Sequence, residues 1–145
     1  MQDLQKYNML DLISMLLGGS VYHFDMRPPE PQVIEEFTKE EIVELVDIYA
    51  DRSKIDRELL HYIVFKESSY NPKAIGDTHI TCPKTGELMT SKGIAQISDC
   101  YWNFSDELKY DPYFSLGFLT REINKGNCHY WTTCRNYYKK ELAMR

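Results

Sequence analysis

Glu67 is the side chain in this sequence best placed for acid–base chemistry. It follows Ile63 by four positions and Leu60 by seven, and on a helix these three share one face. Two effects push up the pKa of a carboxyl at the C-terminal end of an apolar stripe. Burial disfavours the charge, and the negative end of the helix dipole disfavours it further. A carboxyl raised in this way can donate a proton and take it back. Periodicity alone also describes an ordinary helix-end glutamate with its head in solvent. The residues that follow Glu67 distinguish the two.

Other reactive side chains form no comparable constellation. His23, His61, His79 and His129 are scattered, and without a paired nucleophile none suggests a triad. Cys82, Cys100, Cys128 and Cys134 are an even set with no C-x-x-C pair. Two disulfides in an oxidising, extracytoplasmic compartment is the natural reading. Four cysteines allow three pairings. Closeness in the chain favours Cys128 with Cys134 and Cys82 with Cys100, each bridge contributing roughly 2–3 kcal/mol by loop entropy. A zinc site is the competing reading, since His79 lies near Cys82 and Cys82-Pro83-Lys84-Thr85-Gly86 resembles a zinc-ribbon knuckle. Structural zinc needs paired ligands on both sides, and these are absent, so neither metal nor cofactor is expected.

The elements that must position Glu67 are helical. Thr38-Lys39-Glu40-Glu41 reads as a capping box, with Phe37 and Ile42 placed as a hydrophobic staple and Ile42, Leu45, Val46 and Tyr49 as the apolar stripe. Asp56 is a good N-cap for a second helix that runs through Leu59, Leu60, Ile63 and Val64 to Glu67, with Asn71-Pro72 as its stop. A polar loop follows from Asp77 to Lys92, then a third helix is expected near Gly93. Asp111-Pro112 opens a fourth, striped by Phe114, Phe118, Leu119 and Ile123 and ended at Lys125-Gly126. The pattern predicts a mainly α domain with a small β-hairpin in the loop after the Glu67 helix. No element is assigned to the tail from Cys128 onwards.

The chain has 145 residues, 43% hydrophobic and 27% charged, which suits one globular domain rather than two. The net charge of −5 argues against a sequence-independent nucleic-acid binder, which needs a basic footprint. It is compatible with a neutral polysaccharide, and 11 tyrosines, 6 phenylalanines and 2 tryptophans could supply flat rings to stack on sugars as readily as fill a core. Residues 10–24 are the one long apolar stretch, too short for a full span of about 20 residues and lacking the basic start of a typical signal. Residues 1–26 are nevertheless read as a candidate signal or membrane-anchor segment, because that agrees with the cysteines, and an anchor would associate the chain with a membrane; a short amphipathic helix packed on the domain is the alternative. Pro28, Pro29 and Pro31 make residues 27–32 a stiff linker, and the folded domain is expected over 33–145.

Three segments, in order, carry a resemblance to a known family. Glu67-Ser68-Ser69-Tyr70-Asn71-Pro72-Lys73-Ala74-Ile75-Gly76 resembles the Glu-Ser-x-aromatic-Asn-Pro-x-Ala motif of lytic transglycosylases and goose-type lysozymes. Ser91-Lys92-Gly93-Ile94-Ala95-Gln96-Ile97 is similar to that family's Gly-Leu-Met-Gln-Ile motif, with Ile94 and Ala95 for leucine and methionine. Tyr110-Asp111-Pro112-Tyr113-Phe114-Ser115-Leu116 is similar to the opening of the family's next helix. The resemblance covers roughly residues 38–135, with the three motifs between Glu67 and Leu116. The chain is separately expected to be a monomer; the resemblance implies a lysozyme-like α domain acting on peptidoglycan glycan strands at β-1,4 bonds between N-acetylmuramic acid and N-acetylglucosamine. It makes Glu67 the catalytic acid, gives Ser68 a role in holding the carboxylate or substrate, and places Gln96 and the backbone of Gly93 and Ile94 along the sugar cleft. Tyr70 takes the motif's aromatic position, for packing or substrate contact.

The family's Ala-Tyr-Asn-x-Gly segment is missing, and Cys128-His129-Tyr130-Trp131-Thr132-Thr133-Cys134-Arg135 stands instead. Tyr130 or Trp131, pinned by a Cys128–Cys134 bridge, could supply the cleft's far wall, although Trp131 serves equally well as core. No second carboxylate stands out. One acid/base is enough for an anhydro-forming transglycosylase, whereas a hydrolase would need a positioned water, with Asp77 the better and Asp99 the poorer candidate to orient it. A non-catalytic peptidoglycan-binding domain is the remaining alternative, and its expected sign, loss of the acid, is not seen.

Overall fold

Thr38 opens the first helix, as its sequence predicts. Its hydroxyl accepts from the Glu41 amide at 3.2 Å, and its own amide donates back to Glu41 Oε2 at 2.7 Å. The computed structural model describes residues 36–144, so the readings of residues 1–26 and 27–32 lie outside the described residues. Helix α1 (Lys39–Ser53) ends on Lys54 in the left-handed region. Helix α2 (Arg57–Ser68) starts at Asp56, whose carboxylate accepts from the Leu59 amide at 2.9 Å. Helix α3 (Asp106–Tyr110) is a single short turn capped by Ser105. Helix α4 (Pro112–Asn124) has Asp111 as N-cap and proline in its first turn. A 3-10 turn (Asn127–Tyr130) leads into helix α5 (Thr132–Ala143).

Helix α1 packs on α2 and α4, and α5 packs on α2. The core is built from Ile42 and Val46 of α1, Leu60, Ile63 and Val64 of α2, and Leu116 and Leu119 of α4, all with no solvent exposure. Full burial of each such side chain contributes about 1.5–3 kcal/mol. Ile94, Ala95 and Ile97 complete this core from the segment between α2 and α3.

That segment is not helical near Gly93, contrary to expectation. It forms a three-stranded antiparallel sheet of β1 (Ile75–Gly76), β2 (Ser91–Lys92) and β3 (Ile97–Ser98), in which Ile75 pairs with Lys92 and Lys92 with Ile97. The apolar spacing there imitates a helix, but Gly93 (φ 76°) and Gln96 (φ 48°) are both left-handed, which a right-handed helix does not admit. The domain is therefore mainly α with a small β element after α2. Within the Asp77–Thr90 loop itself the pairing is one bridge, Thr81 with Leu88. Cys82 and Cys100 form a disulfide across that loop, and Cys128 pairs with Cys134. Of the alternatives the sequence left open, these pairings follow chain proximity, and they remove Cys82 as a zinc thiolate. An ionic cluster fixes the sheet to α3: Lys109, almost fully buried, pairs with Asp99, and Lys92 bridges Asp99 at 3.1 Å and Asp106 at 2.8 Å.

Candidate functional site

The site begins where α2 stops. Ser69 and Tyr70 both take left-handed backbone angles (φ 53° and 64°), which turn the chain sharply out of the helix. Asn71 Oδ1 accepts from the Lys73 amide at 2.9 Å and steadies the next turn. The turn is also held from outside. Tyr70 hydroxyl meets His61 Nδ1 at 3.0 Å, and His61 Nε2 meets Asp47 Oδ1 at 3.0 Å. The motif aromatic thus ties the turn to α1 and α2.

Gln96 joins the two motif segments. Its side-chain amide donates to Gly93 O at 3.0 Å and to Ala74 O at 3.2 Å. Gly76 makes this possible, because a Cβ there would collide with Gln96 Oε1. Gly93 is constrained more severely. A Cβ on it would run into the backbone carbonyl of Lys109, and its amide donates to Ala74 O at 3.0 Å.

These constraints frame a cavity of about 690 Å³. It is lined by Glu67 from α2, Asp77 after β1, and Ser91, Gln96, Ile97 and Ser98 from the sheet region. Ile80, Lys84 and Met89 of the disulfide-bridged loop contribute, together with Tyr101 and Trp102. His129, Tyr130, Trp131, Thr132 and Thr133, from the 3-10 turn and the start of α5, complete the lining, with Thr133 against Glu67. Trp131 is both core and wall. It is 5% exposed, and its indole donates to Ala95 O at 2.7 Å. Trp102 packs edge-on against Tyr130 at 5.5 Å and against Phe118 at 4.8 Å, so the aromatic wall is anchored in the core.

The Glu67 carboxyl is held above its ordinary value. Burial is the main cause, the charge of Asp77 adds to it, and a hydrogen bond donated by the Thr133 hydroxyl to Oε1 opposes it. Asp77 is itself left-handed (φ 59°) and accepts from Ser91 Oγ at 2.5 Å. Asp99 has no part in the cavity lining. Burial pushes its carboxyl up, but Lys109, Thr90 and Lys92 outweigh that and leave it below the usual range. It belongs to the ionic cluster.

Of the residues expected at the site, Glu67, Asp77, Gln96, Tyr130 and Trp131 line the cavity. Ser68, Tyr70, Gly93 and Ile94 are not among its lining residues. Ser68 hydroxyl turns back to Val64 O at 3.0 Å, the nearest acceptor one helical turn away. Ile94 is wholly inside the core. Sequence reasoning missed Thr133, Tyr101, Trp102, Lys84 and His129. Tyr130 and Trp131 in the cysteine-bounded segment hinted at a contribution to the cavity lining, but nothing in the local pattern marks Thr133. Comparison of the chain with family models, with curated proteins and with solved structures finds no match.

Proposed function

We propose that this domain cleaves peptidoglycan glycan strands at the β-1,4 bond between N-acetylmuramic acid and N-acetylglucosamine, as a lytic transglycosylase with Glu67 as its single acid/base. The observation that carries the reading is a raised carboxyl opening into a cavity walled by aromatic rings. Its volume falls in the range of small-ligand clefts, about 300–1,000 Å³. The likeness of Glu67–Gly76 and Ser91–Ile97 to the family motifs supports the same assignment.

In this mechanism the protonated form of Glu67 gives its proton to the glycosidic oxygen as the bond to C1 breaks. The resulting carboxylate takes the proton of the muramoyl 6-hydroxyl, whose oxygen closes on C1 to give a 1,6-anhydro end. The proton lost in the first step is regained in the second, so the enzyme returns to its starting state. The substrate's acetamido group stabilises the cationic intermediate, and no cofactor or metal enters. The Glu67→Gln variant should release muropeptides from purified cell wall about 10²–10⁴-fold more slowly while still binding it. Unchanged release would refute the assignment.

One observation favours a second reading, hydrolysis. Asp77 lines the same cavity as Glu67 and has the charge to orient a water. Product mass separates the two, because anhydro ends lie one water below hydrolysed ends.

A further inference from the structure

We propose that Thr133 is the positioning residue for Glu67: its hydroxyl holds carboxyl oxygen Oε1 and leaves Oε2 to carry the catalytic proton. The inference rests on the acid/base role proposed for Glu67. It starts from the hydrogen bond that Thr133 Oγ1 donates to Glu67 Oε1 across 66 positions of chain. Both groups line the cavity. A carboxyl oxygen engaged by a donor is the less basic of the pair, so a proton settles on the other. The same bond removes free rotation of the carboxyl, which a catalytic acid must not have if its proton is to meet one fixed oxygen of the substrate.

The donor is itself fixed on both sides. Cys134, the next residue, has no solvent exposure and is bridged to Cys128. Trp131, two residues earlier, is anchored by its indole on Ala95 O at 2.7 Å. Thr133 sits in the first turn of α5, where a threonine hydroxyl usually serves its own backbone, yet here it reaches across to α2. The cysteine-bounded segment that departs from the family pattern therefore supplies a partner for the acid as well as a wall. Other ionisable groups reach the cavity from three further elements: Asp77 after β1, Lys84 and Tyr101 from the bridged loop and its end, and His129 and Tyr130 from the 3-10 turn. Of these, Asp77 acts on Glu67 directly, in the direction opposite to Thr133.

The test is a side-chain carbon NMR titration of Glu67 in the full chain and in three variants. Donation to the carboxylate favours the charged form, so Thr133→Val, which keeps the shape and loses the donor, should raise the Glu67 midpoint by about one unit. Thr133→Ser should restore it, and the alkaline limb of the pH profile of muropeptide release should move with it. Thr133→Ala provides the same reading should valine disturb the fold. A midpoint unmoved in both Val and Ala variants would overturn the proposal. The titration needs no turnover, so this failure is distinct from failure of the catalytic reading, which shows as undiminished release by Glu67→Gln.

Discussion

At Glu67 three influences act on one carboxyl group, and only one was readable from its neighbours. Spacing of Leu60, Ile63 and Glu67 on one helical face predicted burial, and burial is the leading cause of the raised value. The charge of Asp77 and the Thr133 hydroxyl arrive from other elements, and no local pattern announces a contact across so much chain. A second consequence concerns stability. A carboxyl whose folded value lies above its unfolded value binds its proton more tightly in the fold. Stability is therefore lost as pH rises from the unfolded value, about 4.3, through the folded one. Glutamine keeps an acceptor for Thr133 and carries no charge. Glu67→Gln should thus melt at a higher temperature than the native chain at pH 7, and the gain should shrink as pH falls towards about 4. A difference independent of pH would show that the carboxyl is not strained by burial.

At the scale of elements, the helices with caps and full apolar stripes were legible: α1, α2 and α4 begin where Thr38, Asp56 and Asp111 predict. The failures share a physical cause, which is that tertiary contacts decided the backbone. Gly-Ile-Ala-Gln-Ile has helical apolar spacing, but Gly93 passes too close to the Lys109 carbonyl to carry a side chain, and Gln96 is bent to reach Ala74 and Gly93. Gly93→Ala should cost about 3 kcal/mol or more, combining left-handed strain with a backbone collision, and urea unfolding measures it directly. A loss below about 1 kcal/mol would mean that the turn relaxes freely. Helix α5 was illegible because its only buried residue is Cys134. The bridge, the Trp131 indole and Tyr137, which packs on Tyr62 of α2 at 5.4 Å, hold it rather than a full apolar stripe. Gly93 and Ile94 were expected along a cleft from the resemblance alone; neither lines the cavity, and Ile94 is wholly inside the core.

For the molecule as a whole, the two disulfides fit an oxidising, extracytoplasmic setting. No helix among the described residues is long and apolar enough to cross a membrane. The bridges close loops of 18 and 6 residues of separation, worth about 3 and 2 kcal/mol by chain entropy. That is a large share of a typical domain's 5–15 kcal/mol. Reductant should therefore lower the melting temperature markedly, and serine at both Cys128 and Cys134 should cost about 2 kcal/mol while loosening the cavity lining between them. Equal melting with and without reductant would contradict this. The central claim is Glu67-dependent cleavage of the glycan strand, and mass spectrometry of the products released from purified peptidoglycan tests it most directly. The native chain should yield muropeptides ending in 1,6-anhydro-muramic acid, one water lighter than hydrolysed ends, and Glu67→Gln should yield almost none. Release of the same products by both proteins would contradict it.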